Sequence, residues 1–192
     1  MGLKWQILIP TTPDRDELTD RLVTKLAHQI HDGGFAGQVE YFTYSTPMGQ
    51  PSIGAKRNEC IDQSTAEYIS FFDSDDLPSS TYVKNNMDGI SKGVDACSLR
   101  GVITWDGQNP EIFEHSIKYS EWKTNTTGEI KYERNTNHLN VIKREIAQQF
   151  KFPETNFGED HNWSQQLHGS GLIKTEHFID EVIYNYCYTQ NK

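Results

Sequence analysis

Residues 68–76 read Tyr-Ile-Ser-Phe-Phe-Asp-Ser-Asp-Asp, a hydrophobic strand that runs directly into three carboxylates. Such acids, here Asp73, Asp75 and Asp76, repel one another at the end of a buried strand and are costly to desolvate. Hard divalent cations such as Mg²⁺ and Mn²⁺ prefer oxygen ligands, and one or two carboxylates often hold them together with substrate phosphates. The stretch therefore predicts a metal–phosphate site at the end of a sheet. The alternative is a solvated turn whose acids cap the next helix.

The composition limits the architecture and the partners. A chain of 192 residues is long enough for one well-buried domain. The net charge of -9 and the pI of about 5.2 provide no global basic field that would attract nucleic acid or an anionic membrane. We therefore expect a single domain that works without a membrane, although a local basic groove stays compatible with this charge.

The cysteines and the N-terminal residues indicate the cellular compartment. Cys60, Cys97 and Cys187 are widely spaced, odd in number and contain no CxxC pair, which favours reduced, buried thiols. Residues 1–10 lack the pattern of a signal peptide, and no apolar run approaches the length of a membrane span. We expect a cytoplasmic protein.

Strands and helices alternate in the first half of the chain. Apolar or alternating runs predict strands at 5–9, 39–44 and 67–72, and helical spacing or turn signals predict helices from Pro13 to Gly33, at 55–64 and at 80–91. This order predicts an α/β fold with a doubly wound parallel sheet. Because ligands bind beyond the carboxyl ends of such strands, Thr11, Thr12, residues 46–58 and residues 73–76 are expected to meet at one edge.

The pattern becomes less regular after residue 95. We predict strands at 96–105, 138–141 and 178–188, a turn at 106–107, and helices at 143–150 and from about 159 to 167. Residues 113–132 are rich in aromatic and charged side chains without a clear period. Irregular edge structure is the favoured interpretation of this segment, and an acceptor-binding flap is the alternative.

Four motifs in this order resemble the family 2 glycosyltransferases of the GT-A fold. They are Ile9-Pro10-Thr11-Thr12, Gly54-Ala55-Lys56-Arg57-Asn58, Phe71-Phe72-Asp73-Ser74-Asp75-Asp76 and Gly158-Glu159-Asp160. The compact size, with the stretches at 52–58 and 137–160, looks like short stand-alone members encoded by bacteriophages. No Gln-x-x-Arg-Trp motif follows Asp160, so the chain departs from the processive membrane synthases of the family.

The resemblance implies an α/β, GT-A (Rossmann-like) fold, a mainly parallel sheet flanked by helices in a single domain over residues 1–192. Residues 1–95 would form the nucleotide-sugar-binding half and residues 96–192 the acceptor-binding half. The implied activity is the transfer of one sugar from a nucleotide-diphosphate sugar, with a UDP-sugar favoured, to a hydroxyl group. The reaction would invert the anomeric carbon and depend on Mn²⁺ or Mg²⁺.

The resemblance also implies roles on the donor side. Asp75, with Asp73, would hold the metal ion, and Asp76 would either touch the donor sugar or cap the next helix. The donor-nucleotide contacts would be Pro10, Thr11, Thr12, Arg15, Gly54, Arg57 and Asp73. The neighbouring Lys56 is instead expected on a solvated helix face.

On the acceptor side, Asp160 matches the catalytic base of the family and Glu159 would orient the acceptor or the base. Both acids also suit the first turn of a helix, where carboxylates are favoured. A C-terminal histidine sometimes completes the metal site in such enzymes, and His161, His168 and His177 are candidates. For each of them a surface or core histidine is the favoured interpretation, and for Trp163 a buried helix aromatic.

Other functions remain open from the sequence. The acceptor is either a glycan or small metabolite, or a hydroxylated base of phage DNA, which would require a basic surface from Lys118, Lys123, Lys131, Arg134, Lys143 and Arg144. A nucleotidyltransferase is less favoured because Pro10-Thr11-Thr12-Pro13 lacks a glycine-rich loop. A non-catalytic nucleotide-sugar-binding module is the remaining alternative. The oligomeric state is unknown.

Overall fold

The computed structural model describes residues 2–189. The first half of the chain forms β1 (Trp5–Thr11), a 3₁₀ turn (Pro13–Arg15), α1 (Asp16–Asp32), β2 (Val39–Ser45), α2 (Ile53–Gln63), β3 (Tyr68–Phe71), β4 (Leu77–Pro78) and α3 (Tyr82–Ser91). The second half forms β5 (Ala96–Cys97), β6 (Leu99–Trp105), β7 (Gln108–His115), β8 (Lys123–Thr124), β9 (Ile130–Arg134), β10 (Ile142–Lys143), α4 (Arg144–Ala147), α5 (Glu159–Ser170), β11 (Glu176–His177) and β12 (Val182–Tyr188). The predicted α/β class is confirmed.

The first sheet has the strand order β11-β5-β10-β3-β1-β2. β1 runs parallel to both β2 and β3, as the alternation of strands and helices predicts, whereas β10 runs antiparallel to β3 and β5. The carboxyl ends of β1 and β3 therefore lie at the same edge. The acids that follow β3 emerge beside the threonines that end β1.

A second six-stranded sheet has the order β4-β12-β6-β7-β9-β8 and was not predicted from the sequence. The strand predicted at 96–105 is divided between the two sheets, because Ser98 separates β5 from β6. The buried Ser98 donates its backbone N–H to His177 and accepts a hydrogen bond from the N–H of Ile179. The irregular segment at 113–132 is confirmed only in part, since its two ends belong to β7 and β9.

Alternate residues of β1 pack on opposite sides of the first sheet. Trp5, Ile7 and Ile9 pack with apolar residues of α1, α3 and the second sheet, whereas Leu8 packs with those of α2, α4 and α5. In α1 the buried residues Leu22, Leu26 and Ile30 recur every four residues, as an amphipathic helix requires. The first sheet is thus covered on both faces.

Four details correct or complete the sequence-based expectations. Residues 138–141 form no strand, because Asn137 and Asn140 use their side chains to hold backbone groups of a buried turn. Cys60 and Cys97 are buried free thiols, and Cys187 is half-buried. Within residues 2–189, every helix is too short or too polar to cross a bilayer. The first sheet also takes strands from both sides of residue 95, and the functional division at that residue stays a prediction.

Candidate active site

A cavity of about 440 Å³ opens at the carboxyl ends of β1 and β3. We call it the strand-edge cavity, and its polar lining includes Thr11, Thr12, Arg15, Lys56, Arg57, Asp73, Ser74, Asp75, Asn156 and Glu159. Pro10 also lines it. Gly54, predicted to contact the donor nucleotide, and Asp76, predicted to touch the donor sugar, are absent from this lining. The other residues predicted to bind donor nucleotide or metal converge as the strand topology predicts.

Asp75 and Arg15 form a pair of opposite charge in the strand-edge cavity. The guanidinium Nη1 of Arg15 lies 3.5 Å from Oδ2 of Asp75. Arg15 is carried by the 3₁₀ turn that follows β1, and Asp75 by the loop after β3. A cation and a carboxylate are therefore both available to a ligand that enters this cavity.

Arg57 joins two carboxylates from opposite halves of the chain. Its side chain is almost fully buried, and it forms ion pairs with Glu159 and with Asp73, whose Oδ1 lies 3.1 Å from Nη2. The charge of Arg57 holds the pKa of Asp73 well below its ordinary value, despite the opposing effect of burial. Asp73 is therefore ionised. Arg57 and Glu159 neutralise one another's charge in this structure. Their predicted contacts with the donor nucleotide and the acceptor stay predictions.

Asp76 is buried against the last strand of the second sheet. Its Oδ2 accepts a hydrogen bond from the Tyr184 hydroxyl at 2.7 Å, and its Oδ1 accepts one from the backbone N–H of Cys187 at 2.8 Å. Burial, followed by the charge of Asp73, raises the pKa of Asp76 to about 7. Asp76 does not cap the next helix, which begins at Tyr82. The donor-sugar contact stays a prediction, and both oxygens of Asp76 already accept hydrogen bonds from β12.

The start of α2 is closely packed and does not present a solvated basic face. Gly54 donates its N–H to the Thr155 carbonyl, so this amide is not free for a phosphate. Lys56 is buried and its Nζ donates to the Thr11 carbonyl at 3.3 Å, which corrects the expectation of a solvated side chain. Desolvation lowers the pKa of Lys56. Lys56 thus adds a partly desolvated cation to the strand-edge cavity.

A second cavity of about 760 Å³ lies between the second sheet and the start of α5. We call it the aromatic cavity, because its walls include Trp105, Phe113, Trp122, Tyr132, Phe157, Tyr186 and Tyr188. Asp160 lines it from the first turn of α5, with its Oδ1 accepting a hydrogen bond from the N–H of His161. The predicted base therefore faces this cavity.

The two cavities share part of their lining. Both are lined by Arg57, Asp73, Asn156, Glu159 and Tyr186. Burial raises the pKa of Tyr186, and the charges of Asp73, Asp76 and Asp160 raise it further. Carboxylates from the loop after β3 and from α5 therefore both lie close enough to Tyr186 to raise the pKa of its phenol. Asp73 and Asp75, the acids predicted to bind metal, therefore border the same continuous cleft as Asp160.

The histidines differ from the sequence-based expectation. His161 lines the aromatic cavity against the Trp122 ring. His168 is exposed at the end of α5, and His177, on β11, lies beside Lys92. The histidine nearest the acids is His138, whose Nε2 lies 3.9 Å from Oδ2 of Asp73. No local sequence pattern predicts that His138 belongs to the site, because only the tertiary pairing of β3 with β10 brings it close to Asp73.

A metal ion would need ligands beyond the protein. Within residues 2–189, no three His, Cys, Asp or Glu side chains are grouped so as to hold a metal ion by themselves. Asp73 and Asp75 nonetheless supply hard carboxylate oxygens to one cavity, the ligand type that Mg²⁺ and Mn²⁺ prefer. These residues fit a cation that is completed by phosphate oxygens.

Half of the predicted basic surface is paired with carboxylates. Lys118, Lys131 and Lys143 lie within ion-pair distance of Glu114, Glu111 and Asp95 respectively. Of the other predicted members, Arg144 bonds to the carbonyl of Ala66 and to Gln148, Arg134 lines the aromatic cavity, and Lys123 is exposed.

Comparison with solved structures identifies the fold. A fragment of S. aureus TarS (residues 1–349) in complex with UDP-GlcNAc is similar with a TM-score of 0.69 at 14% identity, over 99% of this chain and 60% of that chain. The same fragment in complex with UDP is similar with a TM-score of 0.66 at 16% identity, over 96% and 60%. The fold is of the GT-A glycosyltransferase type. The chain spans about 60% of the TarS fragment. No protein-family model and no curated protein matches the sequence.

Proposed function

We propose that this GT-A-type protein transfers one sugar from a nucleotide-diphosphate sugar, with a UDP-sugar favoured, to a hydroxyl acceptor. The observation that carries the proposal is the shared lining of the two cavities, which brings Asp73 and Asp75 to one side of a cleft and Asp160 to the other. The TarS fragment of similar fold was solved in complex with UDP-GlcNAc. That complex supports a nucleotide-sugar donor for this chain.

The strand-edge cavity is the proposed donor site. Arg15 and Lys56 bring positive charge to it for a diphosphate, and the end of β1 supplies a surface for the nucleotide. Asp75, with Asp73, would hold Mn²⁺ or Mg²⁺. When bound, the cation would neutralise negative charge on the departing nucleotide diphosphate.

Asp160 is the proposed catalytic base. An inverting transfer needs a carboxylate on the acceptor side that takes the hydroxyl proton while the anomeric carbon is attacked. Asp160 is half-buried at the wall of the aromatic cavity, and the ion pair of Glu159 with Arg57 fixes the first turn of its helix. Glu159 therefore positions the base.

The test is the release of nucleotide diphosphate from a panel of UDP- and GDP-sugars with Mn²⁺ and candidate acceptors. Asp160→Asn should lower turnover by about 10²–10⁴-fold, the usual contribution of a general base, with donor affinity unchanged. Glu154→Gln, an exposed carboxylate before the same helix, is the matched control and should retain turnover. Full turnover in Asp160→Asn would contradict the proposed role.

The same panel separates the remaining alternatives. Release of pyrophosphate from a nucleoside triphosphate would indicate a nucleotidyltransferase, and tight donor binding without any release would indicate a non-catalytic module. Transfer to hydroxymethylated duplex DNA would identify a nucleic-acid acceptor, whose binding should weaken steeply with salt. The proposal expects transfer to an acceptor that is not nucleic acid.

A further inference from the structure

The aromatic cavity contains polar groups that the proposed chemistry does not use. We propose that it binds a neutral carbohydrate ring of the acceptor, and that His138 hydrogen-bonds to a hydroxyl of that ring. This inference rests on the proposed function, because it names the acceptor class for the side of the cleft that Asp160 borders.

The walls of the aromatic cavity suit a sugar ring. The Arg134 guanidinium lies 4.9 Å from the ring centroid of Trp122 and 5.2 Å from that of Tyr132. Trp122 is further held by its Nε1 hydrogen bond to Asn135 at 2.7 Å. Fixed aromatic faces with a few polar groups typify small-molecule sites, and they offer apolar area to the C–H face of a sugar.

His138 is the observation that points to a ligand. Its side chain is 4% exposed and lines the aromatic cavity. Nε2 faces Oδ2 of Asp73 at 3.9 Å, beyond hydrogen-bond length, and Nδ1 has no hydrogen-bond partner within the described part of the chain. A buried polar group without a partner costs about 1–3 kcal/mol, so native proteins rarely leave one unused. The ring centroids of Phe71 and Phe152 lie 6.1 Å and 6.4 Å from that of the imidazole. A ligand hydroxyl would satisfy Nδ1, the nitrogen that does not face Asp73.

The charges favour a neutral polyol over an anion. His115, beside His138 in the same wall, has an unpartnered Nδ1, and a neutral imidazole both donates and accepts, as a hydroxyl does. Two arginines line this cavity: Arg57 is paired with Asp73 and Glu159, and Arg134 already experiences the negative charge of Asp160. Neutral hydroxyls can therefore bind in the cavity without competing with these carboxylates for the arginines.

A nucleic-acid base is the less favoured occupant of the same walls. Flipping a base into the cavity would require phosphate contacts around its mouth. The net charge is -9, and three of the six basic residues proposed for such contacts are paired with carboxylates. The observations therefore favour a carbohydrate.

The experiment is a titration of the full chain with neutral trisaccharides (maltotriose, cellotriose and chitotriose) followed by tryptophan fluorescence. Trp105 and Trp122 line the aromatic cavity, whereas Trp5 and Trp163 are buried in the core, so a ligand there should change the signal. His138→Ala should weaken saccharide binding about tenfold, the loss expected for one well-formed hydrogen bond. His168→Ala, an exposed histidine outside the cavity, is the matched control and should bind as wild type does.

A second pair of variants tests the same cavity at half-exposed residues instead of at the buried His138. Tyr188→Ala removes a half-exposed ring that lines the cavity and should also weaken saccharide binding, whereas Tyr41→Ala removes a similarly exposed ring outside it and should not. UDP affinity is measured in parallel and should be unchanged in His168→Ala, Tyr188→Ala and Tyr41→Ala, none of which touches the strand-edge cavity. Failure of UDP to bind wild type would contradict the proposed function. UDP binding without any saccharide response, or a response only to hydroxymethylated DNA, would overturn the inference.

Discussion

Arg57 is the residue on which the geometry of the cleft depends most directly. Its guanidinium lies between Asp73 at the end of the first sheet and Glu159 at the start of α5, and all three side chains are largely buried. The sequence predicted that these residues belong to the site. It could not predict that they pair with one another, because sixteen residues separate the first pair and 102 the second.

Removing Arg57 should therefore destabilise the fold. Arg57→Ala leaves two buried carboxylates without a counter-charge, which costs about 3–5 kcal/mol in the free energy of unfolding. Urea denaturation measures this change. The matched control is Lys151→Ala, which removes an exposed pair with Asp62 and should cost about 0–1 kcal/mol. A loss for Arg57→Ala no larger than that of the control would refute this view of the network.

Asp76 should make stability depend on pH in an unusual direction. Its pKa rises from 3.8 in the unfolded chain to about 7 in the fold, so the folded state binds more protons between these values. The contribution of Asp76 to the free energy of unfolding therefore falls as pH rises through this window, by at most about 1.4 kcal/mol per pH unit. Asp76→Asn removes this dependence.

The measurement is the difference in unfolding free energy between wild type and Asp76→Asn from pH 4 to pH 8, with a chelator present. Subtracting the variant removes the contributions of other titrating groups that it leaves unchanged. Wild type should lose stability relative to the variant as pH rises. A difference that is constant with pH would show that the carboxyl of Asp76 titrates normally.

At the scale of elements, α2 and the segment before α5 approach each other so closely that residue 54 has no room for a side chain. A Cβ on Gly54 would lie 1.8 Å from the carbonyl oxygen of Pro153. This contact joins the wall of the strand-edge cavity to the chain that leads to Asp160. The sequence indicated that Gly54 belongs to the site, and the structure supplies the reason as packing.

Gly54→Ala should destabilise the protein although alanine favours helices. The added methyl forces two backbone segments apart, and overpacking of this kind typically costs about 1–3 kcal/mol. Gly169→Ala in α5 is the control, since its Cβ would meet nothing within 4 Å and helix propensity should then stabilise by up to about 1 kcal/mol. Thermal or urea unfolding of both variants checks the opposite signs. Stabilisation by Gly54→Ala would contradict the close packing.

Element prediction succeeded where periodicity was long and failed where it was short. α1, β1 and β3 were predicted from apolar residues that the structure buries, and β2 was predicted from alternation although only Val39 of it is buried. The strands β5, β8, β10 and β11 are each two residues long, which is too short for any periodic signal. The second sheet was missed because its strands are assembled from distant segments. The strand expected at 138–141 was wrong because asparagine side chains replace backbone pairing there.

At the scale of the molecule, topology brings the candidate site together. Parallel pairing of β1 with β3 collects residues 10–15 and 73–75 at one edge, a result that the strand order predicts. The position of α5 and the aromatic walls of the second sheet depend on tertiary contacts and had no sequence signal. His138 shows this most clearly, because it reaches Asp73 only through a buried turn.

The most direct test of the shared cleft is a crystal structure with a non-hydrolysable UDP-sugar analogue and Mn²⁺. The account predicts that the diphosphate and the cation lie at Asp75 in the strand-edge cavity, with the anomeric carbon directed past Arg57 and Tyr186 toward Asp160. A donor bound elsewhere, or one whose sugar points away from Asp160, would contradict it.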